Sequence, residues 1–583
     1  MSKLTPYGLL HTVLRQFGYK REPSASHQYI QDININGILF PVKIILIDPY
    51  LEQLPVVFLS SIPKELPGSL PHVMKHLELC YIDESSIYMD RYDIKENMTL
   101  VLNLILKLLH QFVNEPESLQ DEFRRELSSY WKNDLYNCCY LLSNKNKSLS
   151  HTTFKKTHIN DKSDKFEIII GEEKNLNPWV KKRKGEFISS GHAKIINLSN
   201  SIIIPESPWP PNNLMEVIDW LTNCNDRYAA NQLVDISANA IAENINLTVV
   251  FKLGNIYLGI FVIVMKSLVT KILKEALNRN FKNKKNKSRI NREQKISLIK
   301  RAMHNTKSSF YRVRVEDATS EYVIGRNLHN KKDLGKIRIA QIGCGTVGGI
   351  TAKMLAQSGA GSNGGNFDLY DFDILRPGNL GRHTLGMEYL GENKAEAIVS
   401  SIKESNVDDI SVNAITTRTD ALYFIKNFHK YDLIIDATGE YKFSTKLSHH
   451  MRRAKNKIPI IYGWVDALGL ASRGLFDDGK KGYACHYCIT SINIKTGIQD
   501  NLFKQGAEIP KWQPEACGTG SFIPFSSQAS VCAASLIQGL CIDWVNGDPS
   551  PRFRHITIDS KNILDRKSKN VKSQKSCPCC QEL

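Results

Sequence analysis

The stretch IRIAQIGCGTVGGITAKML (337–355) decides how the chain is read. IRIAQIG is a short apolar run suited to a buried parallel strand, and GGITAKMLAQSG continues at helical spacing. Between them Gly343, Gly345 and Gly348 spell G-x-G-x-x-G. Glycines so placed permit a tight turn and let the backbone approach a phosphate, which then sits at the positive end of the helix. The same pattern also suits a strand-to-helix turn that holds nothing, so the residues that follow must decide.

The second strand does so. NFDLYDFDILRPGNLGRHTLG (366–386) sets Asp371 at the end of a β-like run, where a carboxylate can bond ribose hydroxyls. The insertion SGAGSNGGN (358–366) puts Asp371 28 positions after Gly343, against the usual ~20. Asn379 and Arg382 come next, then Lys394 in GENKAEAI. A hydride carrier has no use for this amide and two cations. An enzyme that splits ATP at its α-phosphate does, because negative charge builds on phosphorus and on the departing pyrophosphate.

D-F-D-I-L-R-P-G-N-L-G-R-H with its downstream lysine resembles the ThiF/MoeB and ubiquitin-activating superfamily, over roughly residues 320–583. His383 stands where that family usually has Gln. The resemblance implies a Rossmann-like adenylation domain that consumes ATP. It implies Asp371 on the ribose, Asn379 and Arg382 near the phosphates, and Lys394 on the phosphate chain. KYDLIIDATGE (430–440) matches the third strand and its D-x-T, but Gly439 replaces the Asp that helps hold magnesium. The expected Mg²⁺ ligand is therefore Glu440 or Asp373, ahead of Asp436.

Cys485 and Cys488 form C-H-Y-C, and Cys577 and Cys580 form C-P-C-C, with 89 positions from Cys488 to Cys577. Two such knuckles supply four thiolates for a tetrahedral Zn²⁺, with no position left for substrate. Paired redox thiols are the other use of the motif, and Cys579 leaves a Cys577–Cys579 pairing open. In the resembled family a site of this kind clips the chain end back onto the domain. Between the knuckles, Cys517 lies in a polar, glycine-bearing stretch and is the expected nucleophile. Cys532 and Cys541 fall at helical spacing among apolar residues and read as packed thiols, with Cys532 the rival to Cys517.

TPYGLLHTVLRQFGY (5–19) reads as an amphipathic helix. YIQDINI, a turn at Asn36-Gly37, ILFPVKIILI and LPVVFLSS follow as a strand meander. Then come LPGSLPHVMKHLELCYIDES and a helical ENMTLVLNLILKLLHQFV. This order, with P-H ahead of L-C, resembles the ubiquitin-conjugating enzymes and implies Cys80 as a thioester cysteine. The family's H-P-N is absent, and His72 or His76 is the expected substitute for its Asn. Taken alone, Cys80 reads as a buried structural thiol. In the least legible region, WPPNNLMEVIDWL (209–221) reads as a helix after its prolines and LTVVFKLGNIYLGIFVIV (247–264) as a strand pair.

The expected architecture is α/β and α+β multidomain. It comprises a ubiquitin-conjugating-like α+β domain (1–145), a connecting domain (146–320) and a ThiF-type activating domain with a zinc knuckle (321–583). Such a fusion resembles the bacterial enzymes of CBASS antiphage operons. That resemblance implies activation of the C-terminus of a cGAS-like nucleotidyltransferase, passage through Cys517 and Cys80, and transfer to an acceptor amine or protein. It also implies a homodimer in which Arg326, from EYVIGRNLHN, reaches the partner's ATP. A sulfur-carrier adenylyltransferase, a dinucleotide oxidoreductase and an inactive scaffold are the rival readings.

Composition narrows the partners. The net charge of +17 gathers in KKRK (181–184), RNFKNKKNKSRINREQK (279–295) and DRKSKNVKSQK (565–575). These runs carry no interleaved aromatics, so they read as solvated linkers and nucleic acid is not an expected partner. NIYLGIFVIVMKSLVTKIL (255–273) is interrupted at Lys266 too early to span a bilayer. MSKLTPYGLL lacks a signal-peptide layout, and a cytoplasmic protein is expected. Thirteen cysteines, an odd count, suit metal and thiol chemistry better than a disulfide framework.

Overall fold

The computed structural model describes residues 5–23, 25–82, 89–131, 138–143, 149–156, 166–199, 209–265, 271–275, 291–305, 309–406, 410–418, 420–490, 502–508, 513–514, 521–522 and 525–581. They form two compact units, Met1–Asp317 and Ala318–Leu583.

The first unit opens with helix Pro6–Gln16, whose start is fixed by the Thr5 hydroxyl accepting from the Gly8 amide. Its apolar stripe buries Leu10, Val13 and Leu14. An antiparallel meander follows: Lys20–Arg21, Gln28–Ile35, Ile38–Ile45 and Val56–Leu59. Asn36 and Gly37 both have positive φ, as a two-residue hairpin turn requires. The turn sets a register in which Tyr29, Ile33 and Ile35 face the core. Helices Ile94–Asn114, capped by Asp93, and Pro116–Tyr130 follow and bury their apolar stripes in the same core.

From Cys138 the chain builds a closed seven-stranded barrel. Around the ring its strands run Ile256–Ile263, Ser309–Asp317, Cys138–Leu141, Glu167–Gly171, Leu149–Lys156, Gly185–Asn197 and Asn246–Leu253. The strand pair read at 247–264 is the hairpin Asn246–Leu253/Ile256–Ile263 of this barrel, and helix Leu214–Asn223 follows the prolines at 210–211. One apolar cluster joins residues from Leu10 to Trp131 with residues from Ile196 to Ala302, and a second fills the barrel around Cys139, Ile168, Val250 and Phe261. Trp131 is the hinge-pin of the first: 1% exposed, it donates its indole N–H to the Gly259 carbonyl at 2.6 Å. Its ring packs against Trp209, Trp220 and Phe251.

The second unit is a seven-stranded sheet in the order Val412–Ile415, Asn366–Tyr370, Arg338–Ile342, Leu433–Asp436, Ile460–Asp466, Ala471–Asp477, Phe553–Thr557. The first five strands are parallel, and Ala471–Asp477 pairs antiparallel with its neighbours on both sides, so Phe553–Thr557 runs with the first five. Chain order reverses beside Arg338–Ile342, so a crevice opens at the carboxyl ends of the central strands. Among the described residues one helix, Ser527–Val545, is long and apolar enough to cross a membrane. It packs instead on the sheet: a Cβ on Gly463 would lie 2.2 Å from Ile537, and Ser472 donates to the Ala529 carbonyl at 2.7 Å.

Trp131→Ala removes a fully buried ring and leaves the Gly259 carbonyl unpaired. It should destabilise the first unit by ~3–5 kcal/mol, visible in denaturant unfolding followed by far-UV circular dichroism. An unchanged midpoint would show that the two halves of this unit hold together without the indole.

Candidate functional site

Strand Arg338–Ile342 ends at Gly343, whose φ of +92° only glycine adopts without strain. A Cβ on Gly348 would lie 2.0 Å from the Gly343 carbonyl oxygen, so helix Thr346–Gln357 can start this close only without a side chain there. A Cβ on Gly345, the helix cap, would meet nothing within 4 Å, because that side is open. The Gln341 amide bonds the carbonyls of both Gly343 and Gly348 from below. His383 ties down the middle of the turn. Its Nδ1 accepts from the Leu385 amide, which leaves Nε2–H to donate to the Cys344 carbonyl at 2.9 Å. Burial pushes the imidazole pKa down, in keeping with this neutral form.

Above the turn lies a cavity of about 740 Å³. Gly343, Gly345, Asp371, Asp373, Lys394 and Glu440 are among the residues that line it. Asp371 accepts from the Cys344 amide at 2.7 Å and from the Asp373 amide at 2.9 Å. The Lys394 ammonium, on a side chain 9% exposed, is held by Asp373 at 2.6 Å, and Arg376 holds the other oxygen of that carboxylate at 2.8 Å. Burial pushes the Asp373 carboxyl up, but the bond and charge of Lys394 outweigh it and the net shift is downward. Asn393 fixes Lys394 at the start of helix Lys394–Ser405, bonding the Asp371 and Asp373 carbonyls with its amide and capping the helix with its oxygen.

The structure does not bring every sequence-derived candidate to this cavity. Asn379 spends its side-chain oxygen on the Arg376 amide, within the short turn Pro377–Asn379. The Arg382 guanidinium lies 4.2 Å over the Phe525 ring. Arg326 is exposed and stacks on Tyr322 of its own helix. Asp436 is sealed, 2% exposed, and accepts from Ser444, from the Thr438 hydroxyl and from the Thr438 amide. Burial raises its pKa against those bonds, and its work is to shape the 437–440 loop. Glu440, by contrast, is exposed on the cavity wall. Phe372, Thr417, Arg418 and Asp420 also line the cavity, and Arg418 sits 5.0 Å over Phe372. No sequence motif marks these four, although Phe372 stands between the two aspartates.

In the same unit the thiols of Cys485, Cys488, Cys577 and Cys580 all lie within 4.8 Å of one another. Sulfur–sulfur distances of 3.5 to 3.7 Å suit one ion with metal–sulfur bonds of about 2.3 Å in tetrahedral array. Arg452 and the Gln574 amide point at Cys580 and Cys488, donors of the kind that stabilise metal-bound thiolates. Cys579 is buried beside the four but is not one of them.

The remaining thiols separate clearly. Cys541 is fully buried and its pKa pushed up by that burial. Cys532 lies in the second turn of helix Ser527–Val545 and is only half-buried, which corrects the expectation of a packed core thiol. Cys517 lies outside the described residues. Cys80 is exposed, the reverse of the buried thiol that its apolar flanks suggest, because its extended segment runs along the surface of the unit. His72 sits beside it, while His76 is exposed in the adjoining turn.

A prokaryotic E2 family B model matches residues 9–138, and a ThiF family model matches residues 322–579. The chain is a fusion of these two families. Its glycine-turn cavity belongs to the ThiF adenylation domain and Cys80 to the E2 domain. Over the full length it is 27% identical to the ATP-dependent ubiquitin transferase-like protein Cap2 of Escherichia coli, covering 99% of each chain. It is equally 27% identical to Cap2 of Vibrio cholerae, over 100% of this chain and 97% of that one. The molybdopterin-synthase adenylyltransferase of Escherichia coli is 24% identical over 30% of this chain and 68% of its own. The E2–ThiF fusion is thus an enzyme of the adenylyltransferase and transferase type.

Gly348→Ala should force the helix off the turn, at a cost of ~1–3 kcal/mol. Nucleotide binding, measured by titration calorimetry, should fall by about tenfold or more. Unchanged binding would move the nucleotide away from this turn.

Proposed function

We propose that this protein uses ATP to activate the C-terminal carboxylate of another protein and then joins that protein to an amine. One observation carries the reading: the same chain holds a glycine-turn cavity with a buried lysine on its wall and an exposed thiol in an E2 domain. A carboxylate oxygen attacks the α-phosphorus of ATP, and pyrophosphate leaves with the electron pair of the broken P–O bond. Lys394, on the cavity wall, offsets the charge that builds there, while Asp371 receives the ribose. We assign Asn379 and Arg382 to the phosphate side, on the turn after the second strand. Magnesium arriving with ATP neutralises phosphate charge. Glu440 is its ligand in this scheme, because Asp373 is engaged by two cations and Asp436 is sealed. Zn²⁺ in the four-thiolate site is structural.

Cys517 then attacks the acyl-adenylate and releases AMP, Cys80 takes the acyl group by thioester exchange, and an amine displaces Cys80. Each covalent step divides one difficult amide synthesis into easier ones. The resemblance of the fusion to CBASS enzymes supports a cGAS-like nucleotidyltransferase, primed in antiphage defence, as the carried protein. In this reading the enzyme works as a homodimer with Arg326 at the partner's nucleotide. Likeness to a molybdopterin-synthase adenylyltransferase favours one second reading, activation of a sulfur carrier, which needs no E2 thiol.

With the nucleotidyltransferase supplied, labelled pyrophosphate should exchange into ATP, and Lys394→Ala should slow exchange by about 10²–10³-fold. Undiminished exchange would remove Lys394 from the phosphates. Cys80→Ala should leave exchange intact and strand a reducible adduct on the activating thiol, read by non-reducing gels and mass mapping. Normal conjugation by that variant would turn the assignment toward the sulfur-carrier reading.

Purified protein should hold about one zinc per chain, and Cys485→Ser should lower both metal content and melting temperature before it touches exchange. Metal-free protein with the same melting curve would reject the clip.

A further inference from the structure

The E2 domain lacks the H-P-N that its family resemblance calls for, yet the surroundings of Cys80 are not empty. His72 adopts a left-handed backbone, φ +61°, which turns its two peptide groups in different directions. Its amide donates to Glu126 at 3.0 Å and to the Tyr130 hydroxyl at 2.6 Å, while its carbonyl accepts from the Cys80 amide at 2.8 Å. Its side chain lies between a thiol and two carboxylates. Nδ1 is 2.7 Å from Glu126 and Nε2 is 3.5 Å from Glu122, and the backbone bond between the two residues brings the imidazole beside the Cys80 thiol. Tyr130 in turn donates to Glu126. Among the described residues, Cys80 and the three groups of helix Pro116–Tyr130 (Glu122, Glu126, Tyr130) are the titratable groups that face His72. The bonds to Cys80 and to Glu126 push the imidazole pKa up to about 10, against the opposing effect of burial.

We propose that His72 is a catalytic residue of the E2 domain, its imidazolium stabilising negative charge on the Cys80 sulfur whenever that sulfur attacks or departs. The proposal rests on Cys80 being the thioester carrier. In the exchange step the Cys80 sulfur attacks the carbonyl carbon of the first thioester. A new C–S bond forms, the old one breaks, and the donor sulfur leaves with the electron pair. In the final step an amine nitrogen attacks the same carbon, its surplus proton passes to water, and the Cys80 sulfur leaves with the electron pair. The imidazolium meets the charged sulfur at the start of the first step and at the end of the second, and is consumed in neither. Glu126 is the positioning residue that orients the ring and keeps it protonated. This role is at the sulfur, not at the oxyanion for which the family uses Asn.

Alkylation of Cys80 by iodoacetamide, in the full chain and measured against glutathione in the same tube, reads the pairing directly. It needs neither ATP nor protein substrate. At pH 7, His72→Gln should slow Cys80 alkylation by about tenfold or more. The wild-type advantage should shrink as pH rises through about 8.5, the ordinary thiol range, because the Gln variant's thiol then ionises as well. Glu126→Gln keeps the ring but weakens its protonation, so that variant should also lose part of the advantage at pH 7. This second variant carries the test if His72→Gln melts early. Equal rates at pH 7 in a folded His72→Gln chain, or a Glu126→Gln chain alkylated as fast as wild type, would overturn the proposal. A chain that shows the expected profile but forms no ATP-driven adduct on Cys80 would sink the relay and keep the His72–Cys80 pair.

Discussion

The Cys344 amide donates to the Asp371 carboxylate, and the chemistry of the second unit is arranged around that bond. It joins the end of the first strand to the end of the second, at the place where the chain has no room for a Cβ on Gly348. With the turn held there, Asp371 also fixes the Asp373 amide, and the Asp373 carbonyl accepts from the Lys394 amide. The lysine therefore enters the cavity wall from the start of a helix, with its charge met by Asp373. His383 completes the brace from the opposite side. A Gln at this position has the donor and acceptor to reproduce the same two contacts, which accounts for the departure from the family pattern without loss of the turn.

Features fixed by neighbours in sequence were the legible ones. The glycine turn, the Asn-Gly hairpin, the two cysteine knuckles and the helical spacing around Cys532 and Cys541 each follow from residues a few positions apart. Features that need distant partners were not. The barrel draws strands from 138 to 317 and mixes parallel with antiparallel pairs, so no local period announces it. The exposure of Cys80 depends on an edge segment, and its polar partners come from a helix that starts 36 positions later. Arg418 and Phe372 meet only because two strands lie side by side. Asp436 shows the opposite failure: a strand-end carboxylate is easy to see in sequence, but only its three donors reveal that it faces inward.

Charge is used differently in the two reactive places. In the adenylation cavity the cation is buried and the carboxylate beside it is partly exposed, an arrangement suited to receiving polyanions from solvent. Near Cys80 one imidazole faces two carboxylates, Nδ1 2.7 Å from Glu126 and Nε2 3.5 Å from Glu122.

The indole of Trp131 bears on inheritance. Its carbonyl partner, Gly259, lies in the barrel, and three of its ring neighbours come from beyond residue 200. A gene fragment ending near residue 145 would therefore encode an E2 domain with an apolar wound where the barrel belongs. Recombination can exchange this part of the protein only in one piece of about 317 residues, barrel included. The E2 domain and the outer face of the barrel thus share one buried cluster, while the barrel keeps a second cluster of its own inside.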